Sequence, residues 1–151
     1  MAIRQWRLLA GVGCAALALS ACQQILPIVV AQPPKFDAAT AADIATAQKD
    51  ADVLFAALSA TTGCSYAGNT AQFDLVDKDL AALSTQAGTV PNNSFTLNGA
   101  GLLQKGFDKF RAAAAAKPAG CLPPGLAEDK KTSFDGAAAN LLAYENAKPK
   151  G

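Results

Sequence analysis

An all-α domain, arranged as an up-down-up-down four-helix bundle, is the fold class this 151-residue sequence predicts. Two observations carry the prediction, and a third is an independent check on it. Alanine makes up roughly a quarter of the chain and aromatic residues only 7%, and alanine is the strongest helix former of the natural residues. Four stretches place apolar residues alternately three and four positions apart, which lines up one face of a helix. Cys64 and Cys121 fall in the first and third connections between those stretches, and an antiparallel bundle brings those two connections to the same end.

The first helix is expected to start at the N-cap Asp37 and run to about residue 60, with Ile44, Ala47, Ala51, Leu54 and Leu58 on one face. Thr61-Thr62-Gly63 ends it. The second starts near Asn69 or Thr70 and carries Phe73, Val76, Leu80, Leu83 and Ala87, with Gly88 placed for a left-handed C-terminal cap. Residues 89–98, with Val90-Pro91-Asn92-Asn93, read as a turn-rich loop. The third helix covers about residues 98–116, with Leu103, Phe107, Phe110 and Ala114 on one face, and Gly106 marks an expected close helix crossing. Pro118 through Gly125 stops it. The fourth spans about residues 126–146 and opens on Glu128 and Asp129, whose charge suits a helix N-terminus. Its expected stripe is Phe134, Ala137, Leu141 and Tyr144, followed by a frayed tail from Lys148.

Residues ahead of the bundle read as a processing signal. Arg4 and Arg7 precede an apolar run from Leu8 to Leu19, the layout of a secretory leader. The run is too short to span a bilayer, and extending it would bury Gln23, Gln24 and Pro27. It ends in Leu19-Ser20-Ala21-Cys22, which resembles the lipobox of bacterial lipoproteins at all four positions. The resemblance covers the leader alone. It implies cleavage before Cys22, diacylglycerol on the Cys22 sulfur and an acyl chain, such as palmitate, on the new amino group. Two or more chains hold a protein firmly on a membrane, whereas one does not. Gln23 in place of aspartate favours, by the enterobacterial pattern, the outer membrane with the domain facing the periplasm. The alternative is an ordinary secreted protein cut at Ala21, with Cys22 a plain thiol. The expected organisation is therefore a signal peptide at 1–21, a lipidated tether at 22–36 and a bundle at 37–151. Pro27, Pro33 and Pro34 keep the tether extended. Its apolar 25–30 segment is expected to pack on the domain or on lipid headgroups, or else to dock on a partner's sheet edge.

Composition narrows the chemistry. Without Arg4 and Arg7, 11 basic residues face 12 acidic ones, a net charge of −1, so nothing points to nucleic acid or to anionic lipid. Cleavage discards Cys14 and lipidation uses Cys22. Cys64 and Cys121 then remain, and an oxidising compartment favours a disulfide between them. The chain contains no histidine, which removes histidine-based triads and makes a metal site improbable; no cofactor is expected. Gly99-Ala100-Gly101 reads as a helix-start turn, because Gln104 stands where a dinucleotide loop needs its third glycine. Asp74, Asp77 and Asp79 are the densest acidic group, and an Asp74–Lys78 pair on a solvated face explains them better than calcium does. Lys130-Lys131 reads as solvated surface.

These observations lead to a non-enzymatic envelope module that binds or positions another protein while tethered by lipid. In outline it resembles the helical lipoprotein pilotins, which escort secretion-pore subunits to the outer membrane; the likeness is of fold alone, without a shared motif. The first alternative is a carrier of a small apolar ligand or lipid in the bundle interior. Alanine-rich seams weigh against it, and an apolar cavity of several hundred cubic ångströms would revive it. The second alternative is an enzyme that works without histidine.

Overall fold

The computed structural model describes residues 32–123 and 125–150. Cys22 and the apolar 25–30 segment lie outside the described residues. Four helices make up the domain: α1 (Ala38–Ser59), α2 (Thr70–Thr89), α3 (Ser94–Ala115) and α4 (Leu126–Ala147). A 3-10 turn over Ala67–Asn69 leads into α2. Among the described residues there is no strand, only an isolated bridge between Ser65 and Cys121. α1 packs on α2 and α4, and α3 packs on the same two. With each connection reversing the chain, this closes the up-down-up-down square. No helix among the described residues is long and apolar enough to cross a membrane.

Each helix buries a stripe whose members alternate three and four apart, the repeat of antiparallel bundles. In α1 it runs Thr40, Ile44, Ala47, Ala51, Leu54, Leu58, with Phe55 beside it. In α2 it is Phe73, Val76, Leu80, Leu83 and Ala87. In α3 the expected residues are buried and the stripe extends backwards through Ala100 to Thr96. Phe55, Phe73 and Phe107 are among the largest fully buried side chains, and each contributes about 1.5–3 kcal/mol by leaving water.

The two ends are closed by different chemistry. At one end Cys64 and Cys121 form the disulfide, their Cα atoms 4.9 Å apart. Around it the Ala67 N–H donates to the Pro118 carbonyl at 2.9 Å. The Asn69 side-chain amide donates to the carbonyls of Gly63 at 2.7 Å and Ser65 at 2.8 Å. At the other end the stripes finish in a polar layer. Glu145 is fully buried and Lys148 only 6% exposed, and they form an ion pair. The Thr96 hydroxyl donates to Glu145 at 3.0 Å and accepts from Lys148 at 3.0 Å. Lys148 also donates to the side-chain oxygen of Asn93. The second Glu145 oxygen accepts from the backbone N–H of Asp37 at 3.1 Å. Asp37 itself caps α1, accepting from the Ala39 N–H at 2.8 Å, and also accepts from Gln86 at 2.7 Å.

Several expectations require correction. The tail from Lys148 is not frayed: its ammonium is buried in that layer, and the Phe36 N–H donates to the Pro149 carbonyl at 3.1 Å. The α4 stripe is Phe134, Ala138, Leu141 and Glu145 rather than one through Ala137 and Tyr144, because a buried carboxylate occupies a core position. α3 starts at Ser94, not near residue 98, since Asn92 takes the left-handed conformation (φ 60°) and compresses the turn to residues 90–93. Gly88 accordingly stays helical. Gly99 and Gly101 lie inside α3 rather than at its start. Asp74 and Asp77 both pair with Arg111 of α3, not with Lys78. Lys131 bridges Asp52 of α1 and Asp135, so it is more than solvated surface.

Candidate functional site: an apolar groove between the third and fourth helices

All four seams of the bundle carry polar ties, the α3–α4 seam only at its end, where Thr96 donates to Glu145. Arg111 clamps α2 to α3, and its guanidinium is held even more firmly protonated than usual by Tyr66, Asp74 and Asp77. Lys131 ties α4 to α1, with its ammonium favoured by Asp135 and Asp52. Across α1 and α2 the Gln72 amide donates to the Asp50 carbonyl at 3.2 Å. In that seam burial, reinforced by a hydrogen bond and repulsion from Asp50, pushes the Asp79 carboxyl above its usual range, and one of its oxygens has no partner. Among the described residues no ion pair joins α3 to α4.

That seam holds a cavity of about 350 Å³. Its floor is the aromatic core, where Phe55 lies 6.1 Å from Phe134 and Phe107 lies 6.4 Å from Phe134 in an edge-on pair. The opening follows from the residues that face it. Gly106 on α3 has no side chain, and a Cβ built there meets nothing within 4 Å. Ala137 faces it from α4 and is exposed instead of buried. Nearer the polar layer the seam closes, because Gly99 lets Leu141 lie against the α3 backbone; a Cβ at Gly99 would meet Leu141 at 2.6 Å. The close approach predicted at Gly106 therefore occurs at Gly99, and Gly106 marks a gap. Phe95 stands at this end, 58% exposed, with its ring 4.1 Å from that of Tyr144. Leu102, 71% exposed, lines the groove midway along α3.

The polar lining is sparse: Lys130, Ser133 and Asn140, all from α4. Lys130 is the one titratable group in the lining. A wide apolar wall with a few polar groups is the general pattern of small-molecule sites. A single ammonium without a partner acid is a poor start for proton-transfer chemistry.

Of the residues singled out from the sequence, Cys64 and Cys121 are joined at the far end, away from the groove. Asp74 and Asp77 are committed to Arg111. Among the described residues no group of three or more metal-ligating side chains comes together. Sequence reasoning missed the groove itself. The available signal was a second apolar row on α3: Phe95, Gly99, Leu102 and Gly106 recur four, three and four apart beside the core stripe, making that face wider than one packed seam requires. No family model, curated protein or solved structure matches the chain.

Proposed function

We propose that the protein is an envelope lipoprotein, tethered through Cys22, whose bundle binds an apolar guest in the groove between α3 and α4. The address rests on Leu19-Ser20-Ala21-Cys22 behind a basic and apolar leader. The observation that carries the binding role is the 350 Å³ cavity with its aromatic floor, which falls within the range of about 300–1,000 Å³ found for small-molecule sites. The carrier reading, which the alanine-rich seams had weighed against, thereby gains the apolar space it lacked. An uncharged, environment-sensitive dye should brighten on the full-length protein and lose its signal in Gly106→Leu, whose new side chain fills the gap. Equal dye binding by both proteins would remove the groove from consideration. The address is tested separately by fractionating wild type and Cys22→Ser with acyl-chain labelling.

A second reading keeps the groove and changes the occupant. Phe95 and Leu102 stand out at its rim, and a partner protein could lay an apolar helix between them. A photo-crosslinker at position 102 separates the two in living cells. Adducts to lipid support the carrier, and a reproducible protein adduct supports the scaffold.

A further inference from the structure

We infer that the guest of the α3–α4 groove is a long-chain carboxylate, a fatty acid with its acid group at Lys130 and its chain lying toward Phe95. This rests on the binding role proposed above and adds the guest's class and orientation.

Shape is the first argument. On α3 the lining extends from the closure at Gly99 to Phe110, about 17 Å at 1.5 Å per helical residue. A volume of about 350 Å³ spread over that length is narrow. It accommodates one extended chain better than the paired chains of a phospholipid or a compact ring system. Dispersion contacts with the floor then run the whole length of such a chain.

Charge is the second argument. Lys130 sits one turn into α4, at the end of the groove nearer the disulfide, and forms no ion pair among the described residues. Its neighbour Lys131 is held by Asp52 and Asp135, so the two lysines differ in availability. No acidic residue lines the groove. The Ser133 hydroxyl donates to the Asp129 carbonyl at 2.9 Å, which spends its proton and leaves Lys130 as the cationic donor at that end. At the opposite end the lining is Phe95, Asn140 and Leu141, without charge. One cation at one end of an apolar slot complements one negative charge on one chain.

The test uses the full-length protein in phosphatidylcholine nanodiscs with two photoreactive probes, a diazirine-bearing fatty acid and the matching fatty alcohol. Labelled peptides are read by mass spectrometry. The acid should label α3 and α4 peptides facing the groove, and Lys130→Glu should weaken acid labelling about fivefold while leaving the alcohol unchanged. Gly106→Leu should abolish labelling by both probes. Ala137→Leu, which fills the same gap from α4, serves if the first variant melts early. Equal labelling by acid and alcohol, insensitive to Lys130→Glu, overturns the carboxylate while the groove remains a binding site. Labelling unaffected by both blocking variants, or absent from the groove, overturns the carboxylate and the binding role together.

Discussion

The bundle is closed at one end by a covalent bond and at the other by a buried ion pair, and the two solutions fail under different conditions. The Cys64–Cys121 bond acts largely on the unfolded chain, by removing conformations from a loop that spans a sequence separation of 57. The Glu145–Lys148 pair acts on the folded state, where each charge is tolerated only while the other is present. A staple of the first kind depends on the redox state of the surroundings. A pair of the second kind depends on the whole polar layer, because Asn93, Thr96 and the Asp37 N–H supply the hydrogen bonds that the two charges lost with water.

The largest effect should come from breaking the ion pair. Glu145→Ala leaves the Lys148 ammonium buried without its counter-charge and should cost about 3–5 kcal/mol, read by urea unfolding. The double variant Glu145→Leu/Lys148→Met removes both charges and should recover most of that loss. If it is as unstable as the single variant, the layer matters through its hydrogen bonds and not through charge pairing.

Next comes the staple. Cys64→Ala/Cys121→Ala should lose up to about 4 kcal/mol by the chain-entropy estimate. Reductant should reproduce this in wild type and have no effect on the double alanine variant. Amide exchange should quicken first around residues 60–69 and 116–123, while Asp37 and the end of α4 keep their protection.

Acid should do the reverse. Burial works against the Asp37 charge, but hydrogen bonds from Gln86, the Ala39 N–H and Thr40 outweigh it and hold the carboxyl below its usual value. Its contribution is therefore complete above the ordinary carboxyl pKa of about 4 and is lost as pH falls through the lowered one. Asp79 has the opposite sign. Its raised pKa means that the folded state binds a proton more readily than the unfolded chain, so its stabilisation is present below about pH 4 and is lost as pH rises through the raised value. Asp79→Asn should therefore stabilise the protein at neutral pH, and the gain should shrink on acidification. Exchange measured between pH 3 and 6 should show the polar end loosening while the disulfide end holds.

The smallest effect serves as a control belonging to neither end. Gly106→Ala places a methyl group where nothing lies within 4 Å and removes a helical glycine, which should stabilise by about 0.5–1 kcal/mol. Exchange at the two ends should stay as far apart as before.

Much of this fold was legible because the signals behind it are local and periodic. The stripes of α1 and α2 appear as expected, and so do the Asp37 cap and the Cys64–Cys121 pairing. What escaped has a common physical cause. Thr96, Glu145 and Lys148 sit at stripe positions, but a stripe defined by apolar residues stops on reaching them. Only their mutual hydrogen bonding, between residues about fifty apart in sequence, makes their burial tolerable. Gly106 illustrates the other limit. A missing side chain reads the same whether the neighbouring helix moves in, as Leu141 does at Gly99, or stays away. The second apolar row on α3 shows a wide face, but whether that face opens as a groove is decided only by where α4 lies.

Asn92 gains a wider meaning from its position. Its side-chain amide donates to the Gln32 carbonyl at 3.1 Å, while Asp37 grips Glu145 and Phe36 meets Pro149. A mechanical pull arriving through Gln32 would thus be shared at once among α1, the α2–α3 turn and the end of α4. Separating them means breaking several hydrogen bonds together before α1 can leave the bundle.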